Sequence, residues 1–342
     1  MHSHDLIVIG AGPAGLAAAI AARQAGLDFR VFEKGVLVNS LFHFPSQMVF
    51  FTTPELLEIG RLPFVSPRDK PTRDETLRYY RRVVDTYELE IAFSHAVTAV
   101  ERVPGRDGDP FTVRTRDGEG REAAWQARTV LLATGTYDHP NRLRVPGEDL
   151  PHVSHYYTEP HPFYRKQVVI VGGKNSAAEA ALDLYRSGAH VTLVHRRAVL
   201  GASIKYWVKP DIENRIKEGS IAARFETRVV EIRPTEVVVE RVAADGGEGG
   251  AGEREVLPAD GVFLLTGYLA DLELLEACGV AVDRATNIPQ HDPATYETNV
   301  PGLYLAGSVV AGANRGEVFI ENGRFHGRVV VEHIAGRLGS RP

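Results

Sequence analysis

The stretch GAGPAG, residues 10–15, sets three glycines between an apolar run and an alanine-rich one. Gly10 suits a tight turn, Gly12 leaves the backbone bare for a diphosphate, and Gly15 lets a following helix lie close to the preceding strand. Pro13 fits a first helical position, where a missing N–H costs nothing. The N–H groups of that helix start then face an anion. Glu33 stands 23 positions after Gly10. A carboxylate there accepts hydrogen bonds from an adenosine ribose and repels a 2′-phosphate, so this loop predicts FAD or NAD and not NADP.

The pattern recurs at residues 172–177, GGKNSA. Counting the same 23 positions from Gly172 reaches His195, followed by Arg196 and Arg197. A cationic strand end is what a 2′-phosphate requires, and arginine grips phosphate with a two-pronged fork. The predicted ligand of this second loop is NADPH. Gly172, Gly173 and Ala177 complete the turn, while Asn175 and Ser176 supply polar groups at the helix start. Lys174 is irregular: it replaces the glycine that normally lets the diphosphate approach. Either the loop stands off and the lysine adds charge to the phosphates, or nucleotide binding is shifted.

These two loops need strands and helices to hold them. Residues 5–34 read as strand, glycine turn, helix ending at Gly26, and second strand; residues 167–197 repeat that order with a helix ending at Gly188. Residues 95–133 read as short antiparallel strands broken by GRDGDP and RDGEG. Buried strands are expected at 130–135, 261–267 and 302–308, the last followed by a helix from about Gly316, and residues 243–254 read as a polar hairpin tip. The expected fold is α/β: two Rossmann-like dinucleotide-binding domains of three-layer ββα build, the second inserted into the first. Residues 1–152 and 291–342 form the expected FAD domain, and residues 153–290 the expected NADPH domain.

Together, GAGPAG, ATG (133–135), GGKNSA, HRR (195–197) and GLYLAG (302–307) resemble the two-dinucleotide flavoprotein reductases typified by thioredoxin reductases. FPSQMVFFTTPELLEIGRLPF (44–64), KPTRDETLRYYRRV (70–83) and FIENGRFHG (319–327) further resemble the bacillithiol disulfide reductase branch, over essentially the full length. The resemblance implies bound FAD, NADPH as reductant, and a low-molecular-weight disulfide as acceptor. It implies that residues 44–52 lie near the isoalloxazine, including Phe44, Pro45, Met48 and Thr52. Phe319 and Ile320 would cover the pyrimidine edge. Ala14, Lys34, Val97, Thr134, Gly135, Gly307 and Ser308 join the implied FAD set, and Thr266 and Gly267 the implied NADPH set. Three departures stand out. There is no CxxC; Ser308 replaces the acid that usually follows the third strand's glycine; and Ala14 occupies the position of that branch's cysteine.

The hydride step needs stacked cofactors more than side-chain catalysis. Glu321 and His326 are the candidate proton donors, with helix packing as the plainer reading. The sole cysteine, Cys278, is expected after a helix on the NADPH domain. Without a dithiol, reduced flavin must attack a disulfide directly or through a partner's thiol. The alternative acceptor is ferredoxin or flavodoxin. A flavin monooxygenase would need glycine and phenylalanine where Pro151 and Asp149 stand, and a non-catalytic sensor rests on Lys174 alone. The net charge of −5 argues against nucleic acid and anionic membrane as partners. One cysteine and a start, MHSHD, without a cationic leader predict a cytoplasmic protein. His139, His152, His155 and His161 crowd the linker without metal-ligand spacing, so no metal is expected. Relatives suggest self-association, which no residue pattern here requires.

Overall fold

The computed structural model describes residues 2–103, 111–242, 252–312 and 318–339. Residues 105–110, 243–251 and Gly316, which carry the first turn, most of the hairpin tip and the expected helix start, lie outside them. The chain divides into two compact units: Met1–His43, Met48–His139 and Tyr268–Pro342 form the first, and Phe44–Gln47 with Pro140–Gly267 the second.

The first unit opens with β1 (Ser3–Ile9), α1 (Pro13–Gln24) and β2 (Phe29–Phe32). The short α2 (Asn39–Phe42), α3 (Arg73–Thr86), β3 (Ile91–Ala92), β4 (His95–Arg102), β5 (Phe111–Asp117) and β6 (Glu122–Leu132) follow. Leu6, Ile7, Val8 and Ile9 are all buried, as a strand covered on both faces requires. β1 pairs in parallel with β2 and β6, and β2 with β3. The eleven-residue β6 changes partner along its length. Its first half pairs antiparallel with β5 from Glu122 to Ala127, and its last residues pair in parallel with a strand at Leu303–Leu305. The antiparallel strands expected at 95–133 are therefore part of one seven-stranded sheet.

β7 (His139–Pro140) leads to the second unit: β8 (Val153–Ser154), β9 (Gln167–Val171), α4 (Asn175–Arg186), β10 (His190–Val194), α5 (Lys209–Lys217) and β11 (Ala222–Arg224). β12 (Thr227–Arg233), β13 (Glu236–Arg241), β14 (Arg254–Pro258) and β15 (Gly261–Leu264) complete it. Its parallel sheet runs β11-β10-β9-β15-β8. One face, with Val168, Ile170 and Leu193, packs on the alanine-rich side of α4; the other, with Val169 and Val171, packs on the β12-β13-β14 sheet. This is the expected ββα layering.

Back in the first unit come β16 (Tyr268–Leu269), α6 (Leu272–Ala277), β17 (Leu303–Leu305), α7 (Ile320–Gly323) and α8 (His326–Gly339). Residues 268–290, expected with the NADPH domain, belong to the first unit instead. The cause is hydrophobic: Leu275, Cys278 and Val280 fill the core that holds Ile7, Phe32, Val113 and Leu305. Cys278 therefore moves to the first unit too.

α8 lies against α1. Gly327 makes this close approach feasible, because a Cβ there would stand 2.5 Å from the Ala18 nitrogen. Gly327→Ala should destabilise the chain by about 1–3 kcal/mol, the usual range for overpacking, read as a lower denaturant midpoint at unchanged slope. An unchanged midpoint would show that the two helices are less tightly apposed.

Candidate functional site

The first glycine loop is built by close contacts. Gly10 sits at φ +107°, and a Cβ on it would stand 2.5 Å from the Ala133 oxygen. A Cβ on Gly15 would stand 1.9 Å from the Gly10 oxygen, so helix and strand end meet backbone to backbone. Gly12 differs: a Cβ there meets nothing within 4 Å. Protein packing does not demand a glycine at 12, and the open space beside it is where a diphosphate would approach. Gly12 is the N-cap of α1 with no side-chain cap, and Pro13 follows at its first position, so the first-turn N–H groups are left for a ligand. The residues fit an FAD diphosphate.

Glu33, at the end of β2, is 6% exposed. Its carboxylate accepts from the Ala11 nitrogen at 2.8 Å and the Gly35 nitrogen at 2.9 Å, bracing the loop as well as offering acceptor capacity to a ribose. Burial raises its pKa, opposed by those two backbone hydrogen bonds. Lys34 pairs with Asp138 at 3.0 Å.

Three further segments converge on this loop. Thr134 follows Ala133 over Gly10. Gly135, at φ +69°, lies by the Ser308 hydroxyl, 3.7 Å from where its Cβ would be. Gly307, at φ +80°, faces the Ala14 methyl, 2.9 Å from where its own Cβ would be. Ala14 thus lines the site with a methyl group and no thiol. Val97 lies at a β-bulge between Val97 and Ala99 and packs against the core. Thr52 is buried, and the Met48 carbonyl accepts from Arg73 N at 2.9 Å. Phe44 and Pro45 are grouped apart from Met48 and Thr52. They belong to the second unit, where neighbouring Ser46 donates its N–H to Thr158 O at 3.1 Å.

Phe319 is 55% exposed just before α7, and Ile320 is half-buried at its start. The candidate proton donors fare differently. His326 is buried, and its Nδ1 accepts from Gly307 N at 3.3 Å, which assigns the ring proton to Nε2. It stacks on Tyr296 at 4.2 Å, and Tyr296 stacks on His291 at 5.9 Å. Burial, with a smaller push from His291, lowers its pKa to about 4. His326 holds the Gly307 turn and stays neutral. Glu321 is half-buried on α7. Nearby Arg324 donates to the carbonyls of Glu55 at 2.8 Å and Glu58 at 2.6 Å, fixing α7 to the 54–58 segment. Cys278 is 8% exposed, with burial pushing its thiol up to about 11, so it is a packed side chain and a poor nucleophile.

The second loop repeats the first with looser contacts. A Cβ on Gly172 would stand 2.7 Å from the Leu265 oxygen, as Gly10 meets Ala133. Ala177, counterpart of Gly15, carries a methyl, so this turn lies wider than the first. The His195 ring covers Gly173, within 2.2–2.5 Å of where a Cβ would be. His195 therefore braces its loop as Glu33 braces the first. Burial and then Arg197 and Arg196 lower its pKa. Arg196, Arg197 and Lys174 are exposed and form no ion pair among the described residues. This unneutralised cationic cluster fits a phosphorylated ribose and a diphosphate. Asn175 is otherwise engaged: its amide donates to Ser203 O at 3.0 Å and accepts from Lys205 N at 2.8 Å, pinning the 201–205 loop. That loop, whose Gly201 N donates to Gly173 O at 2.8 Å, is absent from the sequence-based set; Gly201 is its only signal. Thr266 donates its hydroxyl to Asn141 O at 2.6 Å, and the Gly267 carbonyl accepts from Asn141 N at 2.8 Å. Ser176 is exposed on the first turn of α4. A surface groove of about 440 Å³, lined by Glu159, His161 and Tyr164 among others, contains none of these residues.

Residues 7–307 match the family model described as pyridine nucleotide-disulphide oxidoreductase. The chain is 41% identical over 339 residues to the bacilliredoxin reductase Bdr of Bacillus subtilis, covering 98% of this chain and 99% of that one. Its fold matches the solved bacillithiol disulfide reductase Bdr (YpdA) from Bacillus cereus with a TM-score of 0.92 at 38% identity, covering 98% and 100% of the two chains. A ferredoxin–NADP reductase of Ignicoccus hospitalis is 28% identical, covering 96% and 98%.

The two glycines of the first loop should separate folding from binding. Gly12→Val should fold with stability within about 0.5 kcal/mol, as an open position predicts, yet lose most of its FAD absorbance on purification. Gly15→Ala should lose stability itself. A Gly12→Val protein that keeps full FAD would overturn the assigned diphosphate position.

Proposed function

Because the chain belongs to the pyridine nucleotide-disulphide oxidoreductase family, we propose that it reduces a low-molecular-weight disulfide of the bacillithiol class with NADPH. It is an oxidoreductase, and FAD and NADPH are its cofactors. The observation that carries the reading is the pair of braced glycine loops with opposite charge: one ends on buried Glu33, the other on unpaired Arg196 and Arg197. The relatives named for bacilliredoxin and bacillithiol disulfide support the acceptor class.

When bound, FAD would supply the hydride and electron-pair chemistry that links NADPH to the acceptor. The chain's own residues bind and orient. We assign the FAD diphosphate to Gly12 and the α1 N-terminus, and its adenosine ribose to Glu33. Arg196 and Arg197 take the NADPH 2′-phosphate, and Lys174 adds charge toward the diphosphate. Each turnover breaks one S–S bond and forms two thiols, consuming one NADPH and one proton. With Ala14 against Gly307 and Cys278 packed in the core, no thiol of the described chain stands at the loop to form a mixed disulfide. His326 accepts from Gly307 and burial lowers its pKa to about 4, so the proton is assigned to solvent. The missing thiol also favours a second reading, a ferredoxin–NADP reductase, which needs only an accessible flavin.

Among the described residues no helix is long and apolar enough to cross a membrane. We place the protein in a reducing, cytoplasmic compartment, supported by its single cysteine.

Anaerobic NADPH should bleach the bound flavin, and bacillithiol disulfide, alone or on bacilliredoxin, should restore it with catalytic NADPH consumption. Turnover with ferredoxin and none with the disulfide would replace the first reading by the second. Arg196→Ala with Arg197→Ala should raise the NADPH KM at least about tenfold, the loss of one charge-assisted phosphate contact or more. The NADH KM should change little; equal changes would refute the 2′-phosphate assignment.

A further inference from the structure

The expectation of no metal rests on the linker histidines, and among those His139 pairs with Asp271 and His155 with Glu148. The fold brings a different set together at the start of the chain. His2 and His4 are two residues apart, so they emerge on the same side of the extended chain that enters β1. Both reach Asp28, which precedes β2. His2 Nε2 lies 2.7 Å and His4 Nδ1 3.0 Å from the same carboxylate oxygen of Asp28. Among the described residues this is the group of three such side chains whose ligand atoms all lie within 4.8 Å of one another.

The backbone around the cluster is fixed. The Asp28 carbonyl accepts from Asp5 N at 2.8 Å and Leu6 N at 3.2 Å, and Asp28 N donates to the Asp5 carboxylate at 3.1 Å. Asp5 is held in turn by Arg128 at 3.1 Å. His4 is mostly buried, with 12% of its side chain exposed, and its ring lies 6.3 Å from Trp125. The nearby cation Arg30 sits over the Trp125 ring at 5.3 Å.

We propose that His2, His4 and Asp28 bind a divalent transition-metal ion, with Zn²⁺, Ni²⁺ and Cu²⁺ as the matching class. Two imidazole nitrogens and one carboxylate oxygen are the ligand types these ions select. Bonds of about 2.0–2.2 Å at tetrahedral angles need ligand atoms about 3.4 Å apart, so the His4–Asp28 and His2–Asp28 separations of 3.0 and 2.7 Å must each open by less than about 1 Å. Each imidazole presents a lone pair in place of the N–H it now shares with Asp28. Water fills the remaining positions, because the side is open at His2, 72% exposed. The ion ties the start of β1 to the start of β2 at the amino end of the parallel strands. The glycine loop lies at their carboxyl end, so the ion acts on stability and not on the hydride step.

The test uses untagged, FAD-loaded protein. Titration calorimetry with Zn²⁺ should show one site per chain, weakened at least about tenfold in His4→Ala and in Asp28→Asn, as expected for loss of a ligand. His2→Ala, at an exposed position that cannot threaten the fold, should weaken it likewise. Trp125 gives a second readout: in a Trp207→Phe background it is the sole tryptophan. Cu²⁺ should quench its emission at one equivalent, and Asp28→Asn should abolish that quenching. Absence of saturable binding in the parent chain would overturn the proposal, as would binding and quenching that survive in all three variants.

Discussion

Everything in the first unit depends on two peptide groups meeting without side chains between them. The Gly10 carbonyl sits where a Cβ of residue 15 would be, 1.9 Å away. That contact sets how closely α1 approaches the end of β1, and hence where its N-terminal N–H groups point. Ala133 presses on Gly10 from the neighbouring strand, and Gly307 on Ala14 from the next. Three parallel strand ends are thereby gathered around one helix start. The arrangement is held by backbone geometry, with Ala14 and Ser308 beside Gly307 and Gly135.

The second unit shows how the same topology is retuned. Ala177 opens the turn by a methyl, and Lys174 puts a cation where the first loop is bare. The residue closing the second strand braces its loop in both cases, Glu33 through hydrogen bonds and His195 by covering Gly173. The two braces differ in charge: an acid closes the first loop, and a histidine followed by two arginines closes the second. An acid beside an unphosphorylated ribose accepts hydrogen bonds, whereas a neutral imidazole flanked by two arginines leaves a 2′-phosphate free of repulsion.

Much of this was legible because it is periodic or counted. The two strand–turn–helix units, the 23-residue spacing to Glu33 and His195, and the ββα layering follow from patterns that repeat along the chain. What was not legible depends on long-range packing. Residues 268–290 join the first unit through Leu275 and Val280, and no local pattern marks which sheet those side chains will cover. Phe44 and Pro45 stand only four and three positions before Met48, yet they fall in the other compact unit. His326 reads as a proton donor by type; only the fold reveals that burial lowers its pKa and that its Nδ1 accepts from Gly307. Asn175 reads as a helix-start donor, and its amide is spent on the 203–205 backbone.

The fate of the thiols is a consequence of the same packing. Cys278 lies in the hydrophobic layer beneath the antiparallel strands, where desolvation disfavours the thiolate that redox exchange requires. Ala14 stands at the helix start, where a thiolate would be stabilised by free N–H groups and the helix dipole. The chain therefore has a thiol where the environment suppresses it, and a methyl where the environment would activate one.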